Sequence, residues 1–524
     1  MAGVSVFKTL MVLVIACSVA LPLLVYFSEH RRTPLLIWIQ DSQEDLSTTH
    51  VTHKDTLLHG LLSANFDEHS CLSRYQSAQY RKASPLSPSP DLVARLRRYE
   101  ALHKKCGPNT PLYKISIEQL KSNHSTENLE CNYIVWTPFN GLGNRMLTLA
   151  SSFLYALLTN RVLLIHETTD LVDLFCEPFP ETSWVLPSDF PVKELTKLHL
   201  GSAQSYGNML KNKVIGVDLK ASAESLPSYV YLHLEHDYRH LDRLFFCEDD
   251  QFVLRKVNWL VLQSDIYFVP SLFLVPQFED ELRRLFPNRE TVFHHLGRYL
   301  FHPTNAVWGM IVRYYESYLA KAEERIGLQV RTFSRTPISF GNFSEQIISC
   351  SRQENILPHI DFEKLQPSSS KGGRLKAVLI TSLYSDYYEK MKNMYYEHPT
   401  TTGEVISIYQ PSHEEQQHTE KQSHNQKALA EIYLLGLCDV LVTSGWSTFG
   451  YVAQGLAGLK PWILLSPRNG KAPDPPCVRA MSMEPCFHTP PDFDCKAKKY
   501  IDMGTAVRHI RHCEDVGRGV KLVD

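Results

Sequence analysis

The chain has 524 residues, which predicts two or three domains rather than one. Its composition, with 44% hydrophobic and 21% charged residues, is ordinary for a globular protein. The formal net charge of −2 gives no global sign of nucleic-acid binding, so no nucleic-acid partner is expected.

The N-terminus carries an uncharged apolar segment, TLMVLVIACSVALPLLVYF, at residues 9–27. It is long enough to cross a bilayer, and a cleaved signal peptide usually has a shorter apolar core. We therefore expect a single-pass signal anchor, with residues 1–8 as a cytosolic tail. Positive charge flanks both ends, so the short tail decides for a type II orientation. Glycosylation sequons at Asn123 and Asn342 also favour a lumenal body.

Residues 28–90 are expected to form a stem. The segment is polar apart from the short stretch LLHGLL, and it ends in SPLSPSP, which is linker composition. The following stretch, DLVARLRRYEALHKKCG, has helical periodicity and a glycine stop. The folded body is therefore expected to begin at about residue 91.

A strand-loop-helix-strand pattern opens the first half of the body, residues 91–300. The loop is PFNGLGNRM, and the helix that follows it is rich in apolar residues. The pattern predicts strands at 132–137, 162–166, 229–236 and 257–265, and a helix at 147–159.

Strand and helix alternate more regularly in the second half, residues 301–524. This spacing is typical of a mostly parallel sheet that is covered on both faces. Two such halves would face each other across a cleft, which is the expected ligand site. Predicted helices are 306–325, 387–396, 426–437 and 448–458, and predicted strands are 326–333, 375–381, 405–409, 439–443 and 462–465.

The chain contains 12 cysteines, and Cys17 lies inside the expected anchor. Eleven remain, so at least one is free or pairs elsewhere. Cys438, in the apolar stretch YLLGLCDVLV, suits an inert buried thiol. Disulfides are favoured over zinc in the Pro-rich C-terminal region, because no close Cys-x-x-Cys pair occurs in the sequence. That region holds Cys477, Cys486, Cys495 and Cys513.

The turn SGWSTFG, residues 444–450, joins a predicted strand to a predicted helix. Hydroxyl groups and free amides at a helix N-terminus form a ready anion site, and Ser447 or Thr448 can cap the helix. Gly445 is predicted to permit a left-handed turn, and Gly450 to let the helix pack closely. The alternative is an ordinary capped helix in an α/β domain.

The predicted strand IGLQVRTF places a cation where ligands gather. Ile326, Leu328 and Val330 alternate with Gln329 and Arg331 on the other face. Arg331 stands at the carboxyl end of this strand, and a guanidinium there suits bidentate capture of a phosphate. A structural ion pair is the alternative. Beside a helix N-terminus, Arg331 would clamp a diphosphate.

Other patterns in the sequence are weaker. In FNGLGNRM, Gly141 and Gly143 allow a tight turn before Asn144 and Arg145, but this is not a full dinucleotide fingerprint. The sequence has no Walker loop, so nucleotide hydrolysis is not expected. Metal binding is disfavoured both at DFD, residues 492–494, and in the histidine-containing stretch SHEEQQHTEKQSH, because the first lies in a cystine-rich loop and the second in a solvated one.

Several of these stretches resemble the plant cell-wall fucosyltransferases, whose type members are the xyloglucan α-1,2-fucosyltransferases. GLQVRTF, TSLYSDYYEKM and STFGYVAQGLAGLKPWIL are similar to the three signature regions of that family, and FNGLGNRM, YFVPSLFLVPQF and MSMEPCFH are also similar. The resemblance begins at about Cys131. It implies an α/β fold of a GT-B-like variant, with two Rossmann-like domains facing a cleft. Residues 91–300 would form the acceptor side, and residues 301–524 the GDP-fucose-binding domain with a cystine-rich tail.

The resemblance also implies an activity. The protein would be a Golgi type II membrane enzyme that inverts GDP-β-L-fucose and passes L-fucose to O2 of a terminal galactose on xyloglucan. It would need no metal and no cofactor, since GDP-fucose is a substrate. One departure from the wider set of α-1,2 and α-1,6 fucosyltransferases is Thr332, which follows Arg331 where many members have a second arginine.

Under this interpretation Arg331 and the amides near residues 447–449 stabilise the leaving diphosphate. Inversion usually needs a carboxylate base, and Asp265, at the end of VLQSD, is the candidate. The alternative role for Asp265 is a cap of the following helix. The predicted donor-binding residues are Asn144, Arg145, Gln329, Tyr384, Ser444, Ser447, Thr448 and Phe449.

Two classes of function stay open at this point. The first is an enzyme acting on xyloglucan or on arabinogalactan glycans. The second is a glycan-binding relative that has lost turnover. Arg331, Asp265 and the STFG turn are all intact, which favours activity.

Overall fold

The computed structural model describes residues 55–81, 84–166, 171–216, 223–333, 338–364, 373–467 and 470–524. The expected cytosolic tail and signal anchor, residues 1–27, lie outside the described residues. Among the described helices, none is both long enough and apolar enough to cross a membrane. Residues 54–524 form one compact unit.

A four-stranded parallel sheet organises the first half of this unit. Its strand order is β2-β1-β4-β3, so β4 lies between the first and third strands. All four predicted strands are confirmed, with bounds that differ by at most two residues. The strands are β1 Tyr133–Thr137, β2 Val162–Ile165, β3 Tyr229–Leu234 and β4 Trp259–Ser264.

A six-stranded sheet of order β10-β9-β8-β5-β6-β7 organises the second half. All its pairings are parallel except that of β10 with β9. The mostly parallel sheet predicted for this half is thereby confirmed. The strands are β5 Glu324–Gln329, β6 Leu375–Thr381, β7 Val405–Tyr409, β8 Val440–Ser444, β9 Trp462–Leu464 and β10 Cys477–Arg479.

Helices pack around the two sheets, and two short hairpins complete the C-terminal tail. The helices are α1 Leu72–Tyr80, α2 Pro90–Cys106, α3 Pro111–Lys121, α4 Leu142–Thr159, α5 Leu171–Leu174, α6 Tyr206–Lys211, α7 His240–Arg243, α8 Glu248–Arg255, α9 Val269–Leu272, α10 Pro276–Leu285, α11 Val292–Leu300, α12 Asn305–Tyr314, α13 Phe340–Gln353, α14 Asp386–Glu397, α15 Gln422–Leu435, α16 Thr448–Ala457 and α17 Met503–Ala506. Single 3-10 turns occur at Leu195–Lys197, Ala223–Ser225, Leu244–Phe246 and Arg289–Thr291, and a π-helical turn at Tyr315–Leu319. The hairpins pair β11 Phe493–Asp494 with β12 Lys499–Tyr500, and β13 Ile510–His512 with β14 Val520–Leu522.

Two predicted boundaries near β5 are wrong. The helix predicted over 306–325 ends earlier, because Arg325 already belongs to β5, where its backbone N–H donates to Asp439 Oδ2 over 2.8 Å. The strand predicted to reach residue 333 stops at Gln329. Beyond it, the Arg331 N–H donates to the side-chain hydroxyl of Ser444, at the end of β8, instead of to a backbone carbonyl.

One apolar core is shared by both halves of the unit. Helix α4 is buried along almost its whole length and contributes to this core from the first half. Val452 and Leu456 contribute from α16 of the second half. The buried Glu484 also joins the halves, because it accepts hydrogen bonds from Tyr267 Oη and from the Phe293 N–H, each over 2.7 Å. The two sheets are therefore parts of one packed body.

The folded body begins before the predicted end of the stem at residue 90. Within the described part of the predicted stem, Leu61 and Leu62 of LLHGLL are buried and α1 packs on the body. Cys71 forms a disulfide with Cys176, and Arg81 Nη1 donates to the Leu456 carbonyl over 2.7 Å. Covalent and polar contacts thus hold a segment whose composition alone indicates a linker.

Ten cysteines form five disulfides, and Cys438 is a buried free thiol, as predicted. The expectation of disulfides in the C-terminal region is confirmed, since all four of its cysteines are bonded. Two of the four have partners outside that region, Cys247 in the first half and Cys350 in the second, and the other two bond to each other, so the tail is joined to both halves. The pairs are Cys71–Cys176, Cys106–Cys131, Cys247–Cys495, Cys350–Cys477 and Cys486–Cys513.

Loss of the Cys247–Cys495 disulfide is expected to lower the free energy of unfolding by about 2–5 kcal/mol, because this bond closes a loop over a sequence separation of 248. The measurement compares thermal midpoints of the wild type and the Cys247→Ser/Cys495→Ser variant. Cys438→Ser is the control, since it removes a thiol that forms no disulfide. Equal midpoints for the wild type and the double variant would contradict the prediction.

Candidate active site

A cavity of about 420 Å³ lies where the carboxyl ends of strands from both sheets converge. The first sheet contributes the loop after β1, residues 140–144. The second contributes residues 329–331 after β5, residues 446–449 after β8, and parts of the 412–419 loop and α15. This is the position expected for the ligand of parallel α/β sheets.

Two helix N-termini meet at this cavity. Gly141 is the N-cap of α4 and Ser447 the N-cap of α16, and among the described residues no side chain caps either helix. A Cβ on Gly143 would lie 2.8 Å from the Thr448 carbonyl carbon and 2.9 Å from the Phe449 nitrogen. Only glycine permits this approach. The free first-turn amides and the positive ends of both helix dipoles therefore serve one anion site.

Asn144 bridges the two halves at the same point. Its Oδ1 accepts a hydrogen bond from Thr448 Oγ1 over 3.0 Å, and its Nδ2 donates to the Asp265 carbonyl over 2.8 Å. Four of the predicted donor-binding residues, Asn144, Ser447, Thr448 and Phe449, line the cavity. One amide side chain thus links the anion site to the end of β4.

Arg331 supplies positive charge beside these helix starts. Its Nη2 donates to Gln417 Oε1 over 2.9 Å, and its side chain lines the cavity. Among the described residues no carboxylate pairs with it, so the alternative role as a structural ion pair is not found there. Burial lowers its pKa, but a guanidinium stays charged at neutral pH. The arrangement can hold a diphosphate between a cation and two sets of amides.

Ser444 and Gln329 hold the backbone around Arg331. Ser444 Oγ accepts from the Arg331 N–H over 2.8 Å and donates to the Gln329 carbonyl over 3.2 Å. Gln329 Oε1 accepts from the Ser444 N–H over 3.2 Å, and Gln329 also lines the cavity. Ser444 borders a small recess next to Arg331 and is not among the residues that line the 420 Å³ cavity. These hydrogen bonds indicate that Ser444 supports the backbone of Arg331, and its predicted contact with the donor stays a prediction.

Tyr384 and Arg145 lie at the margins of the cavity. Tyr384 is 45% exposed and borders an adjoining recess that also contains Arg331. Arg145 is buried behind the loop after β1, where its Nε donates to the Asn140 carbonyl over 2.8 Å. Arg145 is not among the residues that line the cavity, and its hydrogen bond to Asn140 positions the loop; its predicted contact with the donor stays a prediction.

The left-handed residue of the 444–450 turn is Trp446, with φ 63°, and the prediction of Gly445 at this place is wrong. Gly445 is needed for space, since a Cβ would lie 3.0 Å from Asp515 Cβ. Asp515 also fixes Trp446 by accepting from its N–H over 2.8 Å and from its Nε1 over 2.6 Å. An indole face is thereby fixed at the cavity wall, where functional sites commonly hold strained residues. The close packing predicted for Gly450 is confirmed, with Thr443 Cβ 3.0 Å from its would-be Cβ.

Acidic side chains line the α15 side of the cavity. Burial raises the pKa of Glu431 to about 8, and its Oε1 accepts from Ser412 Oγ over 2.5 Å. Hydrogen bonds from Lys427 and His424 lower the pKa of Glu414 to about 2. At neutral pH one carboxyl is therefore protonated and can donate, whereas the other is ionised.

Replacement of Glu431 by glutamine is expected to remove a pH dependence of stability. In the wild type the folded state keeps this proton to about pH 8, whereas the unfolded chain releases it near the ordinary value of 4.5. Stability should fall as the pH rises between these values. Thermal midpoints of ligand-free protein at pH 5 and pH 9 test this. Between pH 5 and pH 9 the thermal midpoint of the wild type should fall by more than that of Glu431→Gln. Equal decreases in the two proteins would contradict the prediction.

Asp265 lies beside the large cavity but does not line it. Its side chain is 5% exposed, and its Oδ2 accepts from Asn140 Nδ2 over 2.9 Å and contacts His236 Nδ1 at 2.6 Å. Its Oδ1 accepts from the His236 N–H over 2.9 Å. Helix α9 has Phe268 as its N-cap, so Asp265 is not the cap of that helix.

The side chains at the two stretches where metal binding is disfavoured contact other protein groups. Asp492 lies 3.9 Å from Arg243, and Asp494 accepts two amides within the β11–β12 hairpin. His424 and His418 each contact a glutamate. A third group, His233, Glu235 and Asp237, has ligand atoms within 4.8 Å of one another, but both nitrogens of His233 already contact Tyr231 Oη or Asp237.

The sequence interpretation missed Asn140, His236 and Trp446. Asn140 adopts a left-handed conformation, φ 61°, and the Asn-Gly pair it forms with Gly141 is a turn signal that could have singled it out. His236 lies two residues beyond the end of β3, so the rule that selected Asp265 and Arg331, a polar side chain beyond the carboxyl end of a strand, also applies to it.

The chain is similar to a protein family, to named plant proteins and to a solved structure. The family model described as xyloglucan fucosyltransferase matches residues 37–496. The galactoside 2-alpha-L-fucosyltransferase of Pisum sativum is 57% identical over 90% of this chain and 82% of its own length. The Arabidopsis thaliana protein of the same name is 57% identical over 90% of this chain and 84% of its own. A solved structure of an Arabidopsis thaliana FUT1 mutant in complex with GDP is 56% identical, covers 90% of this chain and 100% of that one, and superposes with a TM-score of 0.83.

Proposed function

Because this chain belongs to the xyloglucan fucosyltransferase family, we propose that it transfers L-fucose from GDP-β-L-fucose to O2 of a terminal galactose, with xyloglucan side chains as the acceptor. Two relatives at 57% identity are named for that linkage, and a relative at 56% identity was solved with GDP. The observation on this chain that carries the proposal is the meeting of Arg331 with two uncapped helix N-termini.

In the proposed reaction, negative charge grows on the diphosphate as the bond to the fucose C1 breaks. The Arg331 guanidinium and the first-turn amides of α4 and α16 are fixed before the donor arrives, so they stabilise that charge without reorganising. We propose that this makes a metal unnecessary. Many α-1,2 and α-1,6 fucosyltransferases have a second arginine where this chain has Thr332. In this chain, the backbone amides at residues 142–144 and 447–449 would take over the contact of that arginine with the diphosphate.

We further propose that the body is lumenal in the Golgi and that residues 9–27 anchor it as a type II protein. The apolar sequence of that segment supports the anchor. Both sequon asparagines, Asn123 and Asn342, are exposed, as attachment of an oligosaccharide requires. The five disulfides fit an oxidising compartment.

The test uses residues 54–524 secreted from a eukaryotic host, since a fragment that begins after Cys71 would lose its disulfide to Cys176. The protein is incubated with GDP-fucose and EDTA, with galactosylated xyloglucan oligosaccharide or arabinogalactan glycan. A fucose mass increment on xyloglucan alone is expected. Transfer only to arabinogalactan would change the acceptor, and GDP-fucose binding without transfer would indicate a glycan-binding relative. Activity that requires added metal would contradict the metal-free mechanism.

A further inference from the structure

His236 and Asp265 form a carboxylate–imidazole pair beside the proposed donor cavity. They follow β3 and β4, which run parallel with Leu234 opposite Ser264. His236 Nδ1 lies 2.6 Å from Asp265 Oδ2, and the His236 N–H donates to Oδ1 over 2.9 Å. The imidazole is therefore held through both its ring and its backbone.

His236 is accessible to an incoming acceptor hydroxyl, whereas Asp265 is buried. The Asp265 side chain is 5% exposed, whereas the His236 side chain is 58% exposed. Both Asp265 oxygens are engaged by His236, and Oδ2 also accepts from Asn140 Nδ2. With Nδ1 engaged on Asp265, the Nε2 of His236 is the nitrogen left to accept a proton from outside. The buried carboxylate is poorly placed to act as the base itself.

Asn140 connects this pair to the donor cavity. It lines the cavity and donates to Asp265 over 2.9 Å, so the imidazole lies two hydrogen-bond steps from the cavity wall. The pair also belongs to the first sheet, whereas Arg331 belongs to the second. An acceptor hydroxyl at His236 and a diphosphate at Arg331 would thus be held by different halves, an arrangement that suits attack on the face of C1 opposite the leaving group.

We propose that His236 is the general base of the transfer and that Asp265 is its positioning residue; this inference rests on the proposed function. The acceptor O2 bonds to the fucose C1 while the bond from C1 to the phosphate oxygen breaks, and that electron pair stays on GDP. The O2 proton passes to Nε2 of His236. The resulting imidazolium, paired with Asp265, then releases the proton to water, so the products are the fucosylated galactoside, GDP and one proton.

The charged groups around His236 define its pH dependence. Partial burial lowers its pKa, but the hydrogen bond to Asp265 and the charges of Asp265, Asp237 and Glu235 raise the pKa, with a net increase above the ordinary value of 6.5. Of these neighbours, burial raises the pKa of Glu235 to about 7. A base acts in its neutral form, so kcat/KM for the acceptor should rise with pH through the raised pKa of His236.

The experiment compares full-length wild type with His236→Asn, Asp265→Asn and His240→Asn at saturating GDP-fucose. The asparagine side chain at position 236 can still donate a hydrogen bond to Asp265, as Nδ1 of the histidine does. It has no atom that replaces Nε2 as a proton acceptor. We expect His236→Asn to lower kcat by about 10²–10⁴-fold. We also expect it to leave the Kd for GDP within about twofold and to lose the acidic limb of the pH profile. Asp265→Asn should move that limb to lower pH, because a raising charge is gone. His240, an exposed histidine four residues on, is the matched control and should show wild-type kinetics.

A second variant distinguishes loss of the base from loss of activity through a changed structure. For His236→Ala, free imidazole at millimolar concentration should restore part of the lost kcat, because the side chain it replaces is 58% exposed. An His236→Asn enzyme with kcat within threefold of wild type and an unchanged acidic limb would overturn the inference while leaving the proposed function intact. Absence of transfer by the wild type to any galactoside would overturn both.

Discussion

Replacement of Arg331 by alanine is expected to lower kcat for fucose transfer by about 10²–10³-fold, equivalent to about 2.7–4 kcal/mol of barrier. The guanidinium lines the cavity and has no carboxylate partner among the described residues, so its charge is available to the diphosphate. The amides of two helices remain in the variant, which is why the loss should stop short of complete inactivity. Steady-state transfer to galactosylated xyloglucan, with GDP release followed in parallel, measures the effect.

Two further variants make the Arg331 result specific. Lysine keeps the positive charge but lacks the planar guanidinium that can donate two hydrogen bonds to one phosphate. The kcat of Arg331→Lys should therefore lie between those of Arg331→Ala and the wild type. Arg374→Ala is the matched control, since Arg374 is 64% exposed and pairs with Glu323 at the far end of β6. A kcat for Arg331→Ala within threefold of wild type would show that the helix amides alone stabilise the leaving group.

Replacement of Gly143 by alanine is expected to lower kcat/KM for GDP-fucose by about 100-fold. The new Cβ would lie 2.8–2.9 Å from backbone atoms of Thr448 and Phe449, and backbone cannot rotate away as a side chain can. The two helix starts must therefore separate, and a displacement of about 1 Å in a reacting group commonly has an effect of this size. Overpacking should also destabilise the fold by about 1–3 kcal/mol.

Gly341→Ala is the control for the Gly143 result, because a Cβ at that helical position meets nothing within 4 Å. It should keep wild-type kinetics and match or exceed the wild-type thermal midpoint. If Gly143→Ala binds GDP with wild-type affinity, the close approach of the two helices does not determine the shape of the anion site.

The sequence predicts the strands and half of the site, because those features depend on local pattern. The alternation of Ile326, Leu328 and Val330 places Arg331 at a strand end, and the glycine-hydroxyl turn before α16 marks the anion site. The pairing of His236 with Asp265 is not local: it depends on β3 lying next to β4, and alternation within one strand does not determine its neighbour. The disulfide partners are long-range for the same reason.

The shared core has a consequence for how the molecule melts. Since apolar residues of α4 and α16 pack in one cluster, and the Cys247–Cys495 bond joins the tail to the first half, each sheet loses the hydrophobic cover of one face if the other half unfolds. The two halves should therefore lose structure in a single cooperative transition, despite having separate sheets. Damage to the packing far from the cavity should then lower activity by raising the population of globally unfolded chains.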